Sequence, residues 1–293
     1  MKCARLGVLL GLLGGGVGCT DAPRSIATAK KIGDTELTVP TEVPIQAAPA
    51  QSEPAAKALV AEMLAAHTKG KPDAVRAFRS FENVRSGLVL SNNQEPIHQT
   101  WTIQGDWPGR YRVRAEIAGL NTVALAWNGD KAYRQLLTPQ PGPAFDLDAA
   151  ELKSFKADAT GEWLMLLFPL LEPETVVATH PAKSVRDKAC PGVRVWHPAL
   201  SEAVLYLDPA TKELVQITFN GRESLQLVVK EFVVLELKET NGVRLPSKLA
   251  QNASGRQLAD WTFTQLEPKA HDAKLFDAPP VPGGLSGPRK QTP

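Results

Sequence analysis

The side chains best suited to chemistry in this 293-residue sequence are five histidines, three cysteines and one row of arginines. The histidines are scattered, and no two lie at the spacing that would place metal ligands on one face of a predicted helix or strand. The serine-elbow, zinc-protease, dithiol and phosphate-loop motifs of common enzymes are missing from the sequence. The sequence therefore predicts a protein that is not an enzyme, with no catalytic residue, no metal site and no cofactor. A hydrolase whose residues meet only in the folded chain stays open as an alternative.

One regular charged feature lies in a predicted strand at 110–117. Arg110, Arg112 and Arg114 alternate there with apolar residues, so the three cations project from one side of the strand at intervals of about 7 Å. They are candidates for docking to lipid phosphates or to an acidic partner. The alternative is a solvated outer face on which they pair with acidic neighbours such as Glu116.

Residues 1–19 have the pattern of an export signal: two basic residues, a short apolar run and a small residue before Cys19. The apolar run is too short to cross a bilayer. Its end resembles the bacterial lipoprotein box, which implies that Cys19 is acylated and becomes the mature N-terminus, with plain secretion as the alternative. Because Thr20 follows the cysteine, the resemblance implies anchoring in the outer membrane, facing the periplasm.

Composition divides the rest of the chain. Residues 20–53 are rich in proline and alanine and too poor in large apolar groups to fold, which predicts a flexible tether. The tail at 279–293 has the same character and is predicted to be disordered. The part between them, 54–278, is long enough for one domain with a substantial core.

Charge and cysteine content limit the partners and the source of stability. The chain has 33 Lys+Arg and 31 Asp+Glu, and removing residues 1–18 takes away Lys2 and Arg5, which leaves 31 of each. A neutral protein has no electrostatic basis for binding nucleic acid. With Cys19 acylated and the signal removed, Cys190 stands alone, so the hydrophobic core and not a disulfide must stabilise the domain.

Most of the domain has the alternation of β-strands. Residues 203–267 contain four apolar segments separated by turns, which predicts an antiparallel meander. Asn128-Gly129 and Asn241-Gly242 are dipeptides favoured in tight hairpins, because both central residues need a positive φ. Further strands are predicted at 75–81, 87–90, 97–103, 110–117, 123–127, 132–137, 175–179 and 193–196. The fold class is therefore α+β, mainly β.

Helices are predicted at two places. Pro54 opens the first helix of the domain, and a helical insertion near 147–171 begins with a capping box of Asp148 and Glu151. The segment 163–168 is apolar all round, so it must be buried, either as ordinary core or as a lid over an apolar cavity. The candidate residues for this lid and cavity are Trp163, Leu164, Leu167, Phe168, Trp101, Trp127, Phe219 and Trp261.

This order of elements, with Tyr206-Leu207-Asp208-Pro209, the stretch 241–246 and the ending Leu275-Phe276, resembles the LolA/LolB superfamily of lipoprotein carriers and receptors, which includes RseB-like domains. The resemblance covers about 54–278. It implies an incomplete antiparallel β-barrel of about ten or eleven strands with helices covering the concave face. It also implies lipid or lipoprotein acyl chains as partners, held in an apolar cavity, with an envelope protein as a further partner and no catalytic residues.

Three functions follow in order of preference. The first is a non-enzymatic, membrane-anchored module that binds a lipid, acyl chain or lipoprotein between the sheet and the helix at 163–168. The second is an envelope scaffold or sensor with a filled core, acting through protein contacts. The third is the hydrolase. The volume of the apolar cavity distinguishes the first two.

Overall fold

The computed structural model describes residues 46–90, 96–223 and 226–279. Its helices are α1 (Pro54–Thr68), α2 (Ala149–Asp158) and α3 (Thr160–Met165), with 3-10 helices at Pro72–Arg79, Phe168–Leu171 and Ala273–Phe276. Its strands are β1 (Ser80–Val89), β2 (Ile97–Asp106), β3 (Arg110–Ile117), β4 (Thr122–Asn128), β5 (Lys131–Leu136), β6 (Ala144–Asp146), β7 (Val176–Val185), β8 (Lys188–Trp196), β9 (Ala203–Leu207), β10 (Leu214–Glu223), β11 (Gln226–Thr240), β12 (Val243–Ala253) and β13 (Arg256–Pro268).

All these strands form one antiparallel sheet in the order β6-β5-β4-β3-β2-β1-β13-β12-β11-β10-β9-β8-β7. The edge strands β6 and β7 do not pair with each other, so the sheet is open and not a closed barrel. The predicted α+β, mainly β class is confirmed. The described residues form 13 strands, instead of the ten or eleven that the resemblance implied.

The chain enters the domain along the outer edge of β7. The backbone N–H of Glu53 donates to the carbonyl of Val177 at 2.9 Å, and the N–H of Val177 donates to the hydroxyl of Ser52 at 3.1 Å. The carboxylate of Glu53 accepts from the N–H of Thr179 at 2.8 Å. The residues just before α1 therefore occupy the backbone groups that β7 would otherwise present to solvent.

One face of the sheet, here called the inner face, is packed against the helices. Helix α1 contributes Val60, Met63 and Leu64 to the hydrophobic core. Residues 149–171, which comprise α2, α3 and the 3-10 helix that follows, lie over the inner face and are here called the helical cover. α2 starts at a reciprocal capping box, in which Asp148 and Glu151 each accept a hydrogen bond from the other's backbone N–H.

Parts of the strand prediction were wrong. The meander predicted as four segments at 203–267 consists of five strands, β9 to β13. The predicted strand at 75–81 is mostly the 3-10 helix Pro72–Arg79, because Val75 and Phe78 lie three residues apart and both bury their side chains on one face of that helix. The predicted strands at 75–81 and 87–90 are also not separate, since β1 runs continuously from Ser80 to Val89. The short edge strand β6 was not predicted.

None of the helices in the described part of the chain is long and apolar enough to span a membrane.

Candidate binding site under the helical cover

The structure brings the eight predicted lid and cavity residues into one hydrophobic core. Trp163 and Leu164 lie on α3, whereas Leu167 and Phe168 follow it. Trp163 is the centre of this part of the core: its ring meets those of Phe81, Trp107 and Phe168 edge-on, with centroids 5.1, 5.2 and 5.9 Å away. The other predicted residues reach the same core from the strands, namely Trp101 on β2, Trp127 on β4, Phe219 on β10 and Trp261 on β13.

A buried ion pair joins the cover to the sheet. Arg85 on β1 and Glu162 on α3 have Nη2 and Oε1 2.7 Å apart, and their side chains are only 1% and 4% exposed. Full burial of both charges is costly, and their attraction offsets that cost only when the remaining donors and acceptors are also hydrogen-bonded.

Aromatic rings surround the Arg85 guanidinium. Its central carbon lies 5.1 Å from the ring centroid of Trp101 and 4.8 Å from that of Trp261, within the range of cation–π attraction. Buried glutamines fix both rings, because Gln99 accepts from the indole N–H of Trp101 at 2.8 Å and Gln251 from that of Trp261 at 3.0 Å. The cation is thus held between two rings that cannot easily turn away.

A second ion pair, with its charges arranged in the same way, lies beside the first. Lys230 on β11 donates to the Asp158 carboxylate at the end of α2 over 2.7 Å, with the lysine side chain 4% exposed. Gly221 on β10 makes room for this pair, since a Cβ there would lie 2.6 Å from Lys230 Cδ and 2.7 Å from Asp158 Oδ1. In both pairs the cation belongs to the sheet and the carboxylate to the cover.

A small cavity of about 40 Å³ lies between these groups. Among its lining residues are the four charged ones, Arg85, Glu162, Lys230 and Asp158, together with the aromatic residues Trp101 and Phe219. Its volume would hold roughly one or two water molecules. Ordinary ligand pockets are about 300 Å³ or larger, so an acyl chain does not fit while the cover is in this position.

Several polar atoms of this interior have no hydrogen-bond partner among the described residues. They are Nε and Nη1 of Arg85, Oε2 of Glu162, both side-chain polar atoms of Asn83, and Nε1 of Trp127. Each such buried atom costs about 1–3 kcal/mol relative to one that is hydrogen-bonded. The buried polar atoms under the cover therefore make fewer hydrogen bonds than those of an ordinary protein core.

Sequence reasoning missed the four charged residues of this site. Their partners are far apart in the chain, so no local pattern pairs Arg85 with Glu162 or Lys230 with Asp158. Two local signals were present: Glu162 is the charged residue directly before the apolar segment 163–168, and Arg85 lies between the two segments that were predicted as separate strands. A continuous β1 would have placed Arg85 on the same side as Phe81, hence in the core.

The predicted docking arginines lie on the outer face of β3, opposite the cover, and each has a partner. Arg110 pairs with Asp106, Arg112 donates to Gln104 at 3.0 Å, and Arg114 pairs with Glu116 at 2.8 Å. Their role in docking stays a prediction. The predicted lipidation site, Cys19, lies outside the described residues.

Within the described ranges, no group of three or more histidine, cysteine or acidic side chains is placed to hold a metal ion. Neither a family model nor a curated protein matches the sequence.

Solved structures with a similar fold were found. A LolA superfamily protein from Nitrosomonas europaea has a TM-score of 0.49 and 10% identity, covering 76% of this chain and 97% of that chain. A DUF1329 family protein from Desulfovibrio piger has a TM-score of 0.46 and 10% identity, with the same coverage of 76% and 97%. A chain of the MucA/MucB complex from Pseudomonas aeruginosa has a TM-score of 0.24 and 13% identity, covering 77% of this chain and 61% of that chain.

One of these similar structures belongs to the LolA superfamily, the family that the sequence resembles. At identities of 10–13% and TM-scores below 0.5, these likenesses carry no further argument.

Proposed function

We propose that this protein is a non-enzymatic envelope lipoprotein that binds the apolar part of an amphiphile, a lipid or the acyl chain of a lipoprotein, between the inner face of the sheet and the helical cover. In this proposal Cys19 is acylated and anchors the protein in the outer membrane, facing the periplasm. Residues 20–53 form the tether, 54–278 the binding domain with its insertion near 147–171, and 279–293 a free tail.

The observation that carries the proposal is a pair of ionic contacts within the otherwise apolar contact between cover and sheet. The buried pair Arg85–Glu162 and the partly buried pair Lys230–Asp158 stand where packed hydrocarbon would stabilise the contact more. Separating a buried ion pair in water returns hydration to both charges, so the net cost is small compared with that of exposing the same area of apolar surface. The cover is therefore suited to move away from the sheet.

The backbone at the end of α3 supports movement of the cover. Leu167 has φ of 63° and ψ of −20°, a left-handed conformation that costs a residue with a Cβ about 1–2 kcal/mol. Its side chain is nonetheless fully buried in the core. The strain is released when the segment leaves its place, which favours opening.

Opening would expose an extended apolar lining for the ligand. Ile103, Val113 and Leu125 lie on neighbouring strands of the inner face and are each at most 3% exposed. With the rings of Trp101, Trp127, Phe219 and Trp261 beside them, this surface matches the chemistry of an acyl chain.

One observation favours a second candidate, an envelope scaffold or sensor with a filled core. With the cover in place, the cavity that the described residues form between cover and sheet has a volume of about 40 Å³. If the cover never leaves the sheet, the protein acts through its surface.

Native mass spectrometry of the Cys19→Ser variant, which has no acyl anchor and can be purified from a bacterial periplasm, separates the two functions. Binding predicts an added mass that organic extraction removes, together with uptake of a fluorescent fatty acid or its methyl ester. A clean protein mass with uptake of neither probe would overturn the binding proposal in favour of the scaffold. Metabolic labelling with a palmitate analogue tests the anchor separately, since label must be present in the wild type and absent from Cys19→Ser.

A further inference from the structure

The four charged residues under the cover are divided by charge between its two sides. Arg85 and Lys230 belong to strands, whereas Glu162 and Asp158 belong to the cover helices. When the cover moves away, both carboxylates move with it. Of the four charges that line the cavity, the sheet then keeps two cations and no anion, so its inner face attracts a negatively charged group.

Arg85 has N–H groups that could donate to a second hydrogen-bond acceptor. Only its Nη2 is engaged by Glu162, and Nε and Nη1 are buried without a hydrogen-bond partner in the described part of the chain. A guanidinium presents its N–H groups as a planar fork that matches the two oxygens of a carboxylate. Glu162 meets that fork with one oxygen, and its Oε2 has no partner among the described residues. The closed structure thus uses the arginine only in part.

Glu162 also shows that the site beside the Arg85 guanidinium accommodates a carboxylate. Its carboxylate lies against a guanidinium flanked by Trp101 and Trp261. A carboxylate that arrived on a ligand and accepted from two N–H groups of Arg85 would satisfy donors that Glu162 leaves unused. It would also leave Glu162 free to return to water with the cover.

We propose that Arg85 recognises the carboxylate head group of a long-chain amphiphile, which replaces Glu162 on the guanidinium while the chain lies on the apolar inner face. The inference rests on the proposed function and names its ligand class, an anionic carboxylate amphiphile. Lys230 supplies the second positive charge at the head-group end. Glu162 acts as an internal competitor that keeps the site closed when no ligand is present.

The test compares a fluorescent long-chain fatty acid with its methyl ester, which has the same chain and no charge. Wild-type protein is expected to bind the acid roughly tenfold or more tightly than the ester, the scale of a charged hydrogen-bonded contact. Glu162→Gln removes the competing charge and is expected to tighten binding of the acid more than that of the ester, because the ester gains only from easier opening of the cover.

A double variant, Arg85→Met with Glu162→Met, replaces the ion pair by apolar side chains, a change that other buried pairs tolerate. It is expected to remain folded and to lose most of the preference for the acid, with Lys230 supplying whatever preference is left. The double variant is preferred to Arg85→Met alone, because the single change leaves Glu162 buried without its cation and endangers folding.

The outcomes separate this inference from the proposed function. Equal binding of acid and ester by the wild type would overturn head-group recognition and leave amphiphile binding intact. Binding of neither probe would overturn both. A preference for the acid that is undiminished in the double variant would show that Arg85 is not the recognising residue.

Discussion

The imidazole Nε2 of His67 accepts a hydrogen bond of 2.9 Å from the backbone N–H of Leu214. The other ring nitrogen, Nδ1, faces the carbonyl oxygen of Arg244, so the neutral tautomer with its proton on Nδ1 satisfies both contacts. His67 is almost completely buried near the end of α1. It therefore ties α1 to β10 and β12 through backbone groups that only an uncharged ring can serve.

This arrangement predicts loss of stability in mild acid. Burial lowers the pKa of His67, with the hydrogen bond to Arg244 and the charge of Glu213 acting in the opposite direction. The unfolded chain binds the proton more readily, so the contribution of His67 is fully present above its unfolded pKa of about 6.5 and is lost as the pH falls through its lower folded value. We expect the urea midpoint to drop between about pH 7.5 and pH 5.

The residue-specific part of this effect is checked with His67→Gln, which keeps a donor and an acceptor but cannot titrate. The slope of stability against pH should decrease, although burial also lowers the pKa of His180 and of His197. His98 is exposed on β2, and His98→Gln serves as the matched control. An unchanged slope in His67→Gln would contradict the role assigned to His67.

Gly161 sets how closely α3 approaches the sheet. A Cβ at this position would lie 2.6 Å from ring atoms of both Phe219 and Phe232. We expect Gly161→Ala to destabilise the protein by about 1–3 kcal/mol, the usual cost of overpacking a core. Hydrogen exchange should be faster in residues 149–171 than in the wild type, because the cover must shift outwards.

Gly109 offers the control for this change, since a Cβ there meets nothing within 4 Å. Gly109→Ala should leave both the urea midpoint and the exchange of the cover as they are in the wild type. Equal effects of the two substitutions would mean that the close approach at Gly161 has no special importance.

The pair of Lys230 and Asp158 predicts a non-additive double-mutant cycle. Asp158→Ala takes the carboxylate away from a buried ammonium group, and we expect a loss of about 3–5 kcal/mol in the free energy of unfolding. Lys230→Met combined with the same Asp158→Ala removes both charges and should recover most of that loss. If the double variant is as unstable as the sum of the single changes, the two side chains are not coupled.

The Asp208-Pro209 turn predicts a separate effect at low pH. A hydrogen bond from Lys188, with backbone N–H groups of Thr211 and Ala210, lowers the pKa of Asp208 to about 2. Because the folded pKa lies below the ordinary value, this carboxylate stabilises the fold above about pH 4, and the contribution is lost as the pH falls towards 2. Asp208→Asn should cost about 1 kcal/mol at neutral pH and reduce the acid dependence of unfolding below pH 4.

The parts of the fold that were predictable are those decided by neighbours in sequence. Asn241-Gly242 connects β11 and β12 as expected, with both residues at positive φ, whereas Asn128 ends β4 opposite Lys131 and the turn begins at Gly129. The alternation in β3 also correctly separated the arginines from the buried side. At Val75 and Phe78 the local pattern was ambiguous, because two apolar residues three positions apart fit a 3-10 turn as well as part of a strand.

The charged part of the site could not be predicted for a different reason. Whether Arg85 faces the core depends on the register of β1 with β2 and β13, where it lies opposite Trp101 and Phe263. Whether Glu162 reaches it depends on how α3 crosses the sheet. Neither the strand register nor the crossing of α3 can be read from the residues next to Arg85 and Glu162 in sequence. Only the tertiary structure shows that the two side chains meet.

An open sheet of this size carries a hazard at its two ends, because a bare edge strand can template pairing with another molecule and begin aggregation. The attachment of Ser52 and Glu53 to β7 blunts one end by engaging Val177 and Thr179. The other end, β6, is only three residues long and offers little length for pairing. The segment that enters the domain thus also protects this open sheet from self-association.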